Sequence, residues 1–160
     1  MKEEVDVKLV ARDAMSTEVI TVRPDESLAD LARLLAGTAH SGFPVVEGKD
    51  VVGMVSEADV INWASRQESR DYPVDGLIGG MIFSSLVLNP DTDTLQGTKV
   101  RDIMTREVLG VSPDEPLEEV ARLMIKNHIN RVPVLEGRKL VGIITRDDII
   151  RALTRGVEIG

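Results

Sequence analysis

"RDAMSTEVITVRPDESLADLARLLA", Arg12 to Ala36, and "RDIMTREVLGVSPDEPLEEVARLMI", Arg101 to Ile125, align without a gap when the 160-residue sequence is slid against itself by 89 positions. The same register carries "FPVVEGKDVVGMVSEADVI", Phe43 to Ile61, onto "VPVLEGRKLVGIITRDDII", Val132 to Ile150. About twenty of the fifty paired positions are identical. That is far more than shared composition supplies, so the chain is an internal duplication, and whatever one copy folds into the other must fold into as well.

Within each copy the apolar period changes along the chain. Val19 to Val22 is a short β-like run. Leu28, Leu31, Ala32 and Leu35, and in the second copy Leu117, Val120, Ala121 and Met124, then fall on one helical face. Asp25 and Asp114 stand where a side-chain oxygen can cap that helix, and Pro116 suits a first turn that needs no donor. Two β-branched runs follow, Phe43 to Glu47 and Val51 to Val55, parted by Gly48-Lys49; Gly137-Arg138 parts the second pair. Gly at the first loop position is the preference of a type II′ hairpin. A short helix after Ser56 and Thr145 closes each copy. The order strand, helix, strand, strand, helix predicts an α/β fold of the α+β kind. A unit of about 60 residues buries only about 60% of the surface it exposes when unfolded. The two are therefore expected to pack face to face as a pseudo-twofold pair, with two related clefts lined by both repeats as the place for function.

Composition narrows the function. Hydrophobic residues make up 42% of the chain and aromatic ones only 2%, so the core is expected to be aliphatic. The net charge of -8 argues against a nucleic-acid partner, whose binding needs Lys and Arg to neutralise phosphates. No Cys is present, and His40 and His128 are the only imidazoles, so no metal site is expected. The first residues lack the apolar core of a secretory signal, which gives a cytoplasmic expectation. The longest weakly polar stretch, Pro73 to Leu88, is broken by Asp75 and three glycines and is too short to span a membrane. No nucleophile with an activating base, metal set or Gly-rich phosphate loop stands out, so an enzyme is not expected.

Each copy closes on one phrase: "GMVSEAD", Gly53 to Asp59, and "GIITRDD", Gly142 to Asp148. A hydroxyl residue followed three positions later by an acid, between a strand and a helix, reads as a capping box. The box prefers Glu or Gln, and the shorter Asp is expected to reach back poorly and to keep its carboxylate available. A carboxylate at a cleft mouth can accept two hydrogen bonds from the vicinal hydroxyls of a ribose, while the helix start favours a phosphate. Cap and ligand hook are compatible.

With "DAMS" and "DIMT" opening the copies, "FPVVE" and "VPVLE" in the hairpins and the doubled phrase at the close, the chain resembles a tandem pair of cystathionine β-synthase (CBS) domains, a Bateman module. The resemblance gives a first domain at 8–64, an insert at 65–97 and a second domain at 98–155. It implies a regulatory module whose clefts hold an adenosyl ligand: AMP, ADP, ATP or S-adenosylmethionine, bound as a regulator and not as a catalytic cofactor. Carried over residue by residue, the favoured first cleft takes Val10, Met15, His40, Ser41, Gly42 and Pro44 as its adenine wall, with Thr145 and Asp148 at the ribose. Arg131, backed by Arg146, is its phosphate candidate, because "HINRVPV" resembles the basic pre-proline segment of the gamma subunit of AMP-activated protein kinase. The second cleft takes Lys99, Met104, Ile129, Asn130, Arg131 and Pro133, with Ser56 and Asp59 at the ribose. Gly42 stands where the second copy has Arg131, so the Thr145/Asp148 cleft is expected to bind phosphates better.

The resemblance also implies a homodimer and a regulatory effect on a protein partner or on the oligomer itself. The insert holds Tyr72 and Phe83, with Trp63 just ahead of it, and its apolar 73–88 stretch is expected to dock on the module or on another chain. The alternative reading is a ligand-free interaction scaffold with vestigial clefts.

Overall fold

The computed structural model describes residues 8–68 and 93–157. In chain order the elements are a single turn α1 (Ala11–Ala14), helix α2 (Leu28–Gly37), strands β1 (Gly42–Glu47) and β2 (Asp50–Ser56), helix α3 (Glu57–Glu68), short α4 (Asp93–Gly97), a turn α5 (Val100–Ile103), helix α6 (Leu117–Asn127), strands β3 (Arg131–Glu136) and β4 (Lys139–Thr145), and helix α7 (Arg146–Val157). The 73–88 stretch expected to dock lies outside the described residues.

The chain divides into two compact units: a split unit of residues up to Val19 together with Leu109 onward, and a continuous unit from Ile20 to Val108. Each holds one antiparallel hairpin. In the continuous unit Gly42 faces Ser56 and Glu47 faces Asp50; in the split unit Arg131 faces Thr145 and Glu136 faces Lys139. Each loop is thus two residues, Gly48-Lys49 and Gly137-Arg138. Gly48 and Gly137 have φ of 66° and 64°, and His128 is the one described non-glycine residue with positive φ. A positive first position with a negative second matches the II′ turn and excludes I′, which needs both positive. Each hairpin also carries one extra residue on its second strand, Val52 and Val141, where the register shifts.

Repeat and compact unit do not share boundaries, because the leading segments are exchanged. Ala11 N–H donates to the Glu115 carbonyl at 2.8 Å and Leu117 N–H to the Leu9 carbonyl at 2.9 Å, which sews the start of the first copy to the helix α6 of the second. Reciprocally, Val100 N–H donates to the Glu26 carbonyl at 2.9 Å and Leu28 N–H to the Thr98 carbonyl at 2.8 Å. Ala11 and Val100, equivalent under the 89-residue shift, are both fully buried in these borrowed cores. Burying a valine contributes about 1.5–3 kcal/mol, so the exchange is a structural part of each unit. The cores are aliphatic as expected: Leu28, Leu31, Val45 and Val55 beside Phe43 in one, Val120, Val132, Val134 and Ile144 in the other.

Three local expectations need correction. The runs at Val19–Val22 and its counterpart are not strands; each makes one parallel bridge, Val22 to Val45 and Val111 to Val134, because Pro24 and Pro113 end the extended backbone within two residues. Asp25 and Asp114 do not cap the helices. Ser27 is the cap of α2, its hydroxyl accepting from Asp30 N–H at 3.1 Å, while Asp25 pairs with Arg23 at 3.4 Å. Pro116 sits at the cap of α6 itself, one position ahead of the first turn, and Asp114 accepts from Arg12 at 2.8 Å.

Candidate functional site

Glycine opens both closing phrases for a reason that periodicity does not reveal. A Cβ on Gly142 would lie 2.5 Å from the Met15 sulfur and 3.0 Å from the Ser16 carbonyl; one on Gly53 would lie 2.8 Å from the Met104 sulfur and 2.9 Å from the Thr105 carbonyl. The exchanged segment lies directly on the strand at that point. Ser16 and Ile143 trade both backbone hydrogen bonds at 2.9 Å, and Thr105 and Met54 do the same at 2.8 and 2.9 Å. Met15 and Met104 are therefore packed on the strand that carries the closing phrase, half-buried against the cores.

Three residues after each glycine, the hydroxyl and acid of each phrase meet. In the split unit Asp148 Oδ2 accepts from Thr145 N–H at 2.8 Å and from the Thr145 hydroxyl at 2.9 Å, and Asp148 N–H points back to that hydroxyl at 3.4 Å. In the continuous unit Asp59 Oδ2 accepts from Ser56 N–H at 2.9 Å and from the Ser56 hydroxyl at 3.3 Å. The expectation that Asp reaches back poorly is wrong: both aspartates accept from the cap N–H, and Asp148 completes the reciprocal capping box with Thr145. Their outer oxygens are engaged too, Asp148 Oδ1 by Arg151 at 2.7 Å and Asp59 Oδ1 by the Thr105 hydroxyl at 3.5 Å.

The hairpin register places Arg131 opposite Thr145. Its guanidinium is half-buried; burial lowers its pKa, and the charge of Asp148 works the other way. Asn130 accepts from Arg146 N–H at 3.1 Å, and Pro133 is buried one turn of the pleat further along. Val10 N–H donates to Asp13 at 2.9 Å, and Val10 bridges Pro116. Ile129 packs against the core. The split unit thus contains Val10, Met15, Ile129, Asn130, Arg131, Pro133, Thr145, Arg146 and Asp148, of which Arg131, Thr145 and Asp148 meet at one end of the hairpin.

The continuous unit holds the rest. Gly42 faces Ser56, and the Ser41 carbonyl accepts from Glu57 N–H at 2.8 Å. His40 is exposed, its ring edge-on to Phe43 at 6.1 Å, and Pro44 is buried with its carbonyl held by Val22 N–H at 3.0 Å. Lys99 N–H donates to Asp102 at 2.9 Å, and Met104 lies on Gly53. Among the expected first-cleft residues, His40, Ser41, Gly42 and Pro44 belong to this unit and Val10, Met15, Arg131, Thr145, Arg146 and Asp148 to the other.

Two polar contacts escaped the sequence reading. Arg151 carries no motif signal beyond its place three residues after Asp148. Thr105 had one: a hydroxyl residue follows the methionine in both "DAMS" and "DIMT". Among the described residues no group of His, Asp or Glu is arranged to hold a metal ion, and no helix is long and apolar enough to cross a membrane.

The sequence profile of the CBS domain matches residues 11–66 and again 100–155. An uncharacterised protein of Methanocaldococcus jannaschii is 35% identical over 156 residues, with 91% of each chain covered. Inosine-5'-monophosphate dehydrogenase of the same organism is 27% identical over 143 residues, which are 88% of this chain but 23% of the enzyme, so the likeness carries nothing of its catalysis. Among solved structures, the CBS-pair protein CBSX2 of Arabidopsis thaliana matches with a TM-score of 0.74 at 26% identity, covering 94% of this chain and 98% of its own. The crystal structure of CBSX2 in complex with AMP matches at 0.68 and 27%, covering 92% and 98%. Two profile matches that together take in most of the chain, on a fold shared with CBS pairs, make this protein a member of the CBS-domain family with two CBS domains in tandem.

Proposed function

We propose that the chain is a regulatory module that binds an adenosyl ligand, with AMP as the first candidate, and has no catalytic activity of its own. The observation that carries this reading is the meeting of Arg131, Thr145 and Asp148 at one end of the split unit's hairpin. A carboxylate that accepts from ribose hydroxyls, beside a hydroxyl and a guanidinium that donate to phosphate, is the chemistry a nucleotide requires. The AMP complex of CBSX2, 27% identical, supports the same class. On this reading the ribose takes over Asp148 Oδ1 from Arg151, which is released toward the ligand's phosphate. Ser56 and Asp59, with Gly42 in place of Arg131, form the weaker counterpart. AMP at a hundred times its dissociation constant should raise stability by about 2.7 kcal/mol, seen as an upward thermal shift. A melting point unchanged from the ligand-free chain with each of AMP, ADP, ATP and S-adenosylmethionine would overturn the reading.

The module acts through an oligomer or a partner, and a specific observation favours self-association. Ile125, Ile150 and Leu153 are 75%, 52% and 63% exposed on α6 and α7, and the first two line a groove of about 530 Å³ with His128 and Arg146. Apolar residues so exposed on neighbouring helices mark an interaction surface. Sedimentation velocity should find a homodimer that Ile150→Glu dissociates; a wild-type monomer at micromolar concentration would sink this part of the proposal. A cytoplasmic location is part of the same proposal.

A further inference from the structure

The continuous unit has a depression of its own, which touches its closing phrase through Met104, packed on Gly53. It has a volume of about 810 Å³ and opens beside the Gly48 turn. The Gly48 turn is roughly 20 Å along the strand from Gly42 and Ser56, while Met104 and Arg106 on the pocket's other side flank Thr105, which contacts Asp59. Arg23, Arg101 and Arg106 converge there over an apolar floor of Val46, Val52 and Met104. Two acids, Asp25 and Glu47, share the lining, and Asp25 is engaged by Arg23 at 3.4 Å. Among the described residues the side chains of Arg101 and Arg106 have no ion-pair or hydrogen-bond partner. The Arg101 backbone is anchored at the pocket, its N–H donating to the Pro24 carbonyl at 3.0 Å. In a chain with net charge -8, a pocket whose cations outnumber its anions runs against the composition.

The duplication supplies an internal control. Under the 89-residue shift Arg23 becomes Ser112, Arg106 becomes Thr17, and Arg101 becomes Arg12, which is tied to Asp114 at 2.8 Å. Val46 becomes Leu135, whose methyl would stand 2.6 Å from a Cβ on Gly110, the counterpart of Thr21. The split unit therefore lacks two of the three arginines and brings a leucine up to the backbone at the same place. The shared fold requires neither the cations nor the open volume.

We propose that this pocket of the continuous unit is a binding site for an oxyanion of the phosphate class, held by Arg101 and Arg106 with Arg23 at its rim. Guanidinium forks donate pairs of hydrogen bonds to phosphate oxygens, and such charge-assisted pairs are about twice as strong as neutral ones. The site is independent of the nucleotide reading, and its test is separate. In calorimetric titration at low salt, pyrophosphate should bind the full chain. Arg101→Gln/Arg106→Gln should weaken it by at least about tenfold, while Arg12→Gln/Arg122→Gln, which removes the same charge elsewhere, should leave it within about twofold. All four positions are exposed, and circular dichroism checks that each double variant keeps its fold. Repeating the titration with AMP present separates the two sources of the anion. Unchanged pyrophosphate binding assigns the pocket to a free oxyanion, and competition that persists in Arg131→Gln assigns it to the phosphate of a nucleotide. Absent binding to the wild-type chain, a loss under about twofold in the Arg101/Arg106 variant, or equal losses in both double variants would overturn the site.

Discussion

The split and continuous units are two castings of one sequence, and they differ where the repeat does not need to be conserved for folding. Both borrow a leading segment, both lay a methionine on a glycine, and both satisfy the cap N–H with an aspartate. Around that frame the split unit has Arg131 opposite Thr145 and pins Asp148 with an arginine at 2.7 Å. The continuous unit has Gly42 opposite Ser56 and holds the outer oxygen of Asp59 only through a hydroxyl at 3.5 Å. It gathers its arginines instead at the far end of the hairpin. The backbone plan is common property of the two copies; the charged groups are individual, and function is to be sought in them.

The comparison can be broken first at the part both units share. Gly142→Ala forces a Cβ to within 3.0 Å of a backbone carbonyl as well as against the Met15 sulfur. It should cost about 2 kcal/mol in urea or thermal unfolding, and Gly53→Ala should cost a similar amount. A loss below about 0.5 kcal/mol in either would show that the exchanged segment is not held tightly against the strand. A smaller effect sharpens the difference between the units. Asp148→Ala should weaken AMP about tenfold, near 1.4 kcal/mol, and Asp59→Ala less, measured by calorimetry on folded variants. Equal or reversed losses would remove the ranking of the two sites.

Much of this organisation was legible in the sequence. A gapless repeat fixes register as well as element order, so the hairpins, their two-residue turns and the buried helix faces followed from pattern alone. The caps were misread because the choice between Asp25 and Ser27, and between Asp114 and Pro116, depends on two residues of offset, which tertiary anchoring decides: Leu28 N–H is taken by Thr98 of the exchanged segment. That exchange left no periodic trace in the sequence. The glycines of "GMVSEAD" and "GIITRDD" were its visible sign, since only an approaching backbone explains them. At the site, the hydroxyl and acid were found by spacing, but their mutual engagement was not, because whether Asp reaches back depends on the local geometry of the strand-to-helix turn. The arginine pocket escaped notice because Arg23, Arg101 and Arg106 are brought together only by the fold.

The measurement closest to the central claim is the thermal denaturation of the full chain with and without saturating AMP, run in parallel on Arg131→Gln. Binding at the Arg131, Thr145 and Asp148 cluster predicts an upward shift corresponding to about 2.7 kcal/mol at a hundred dissociation constants, markedly reduced in the variant. No shift with AMP or the other adenosyl ligands, or a shift of the same size in Arg131→Gln at the same concentration, would contradict it.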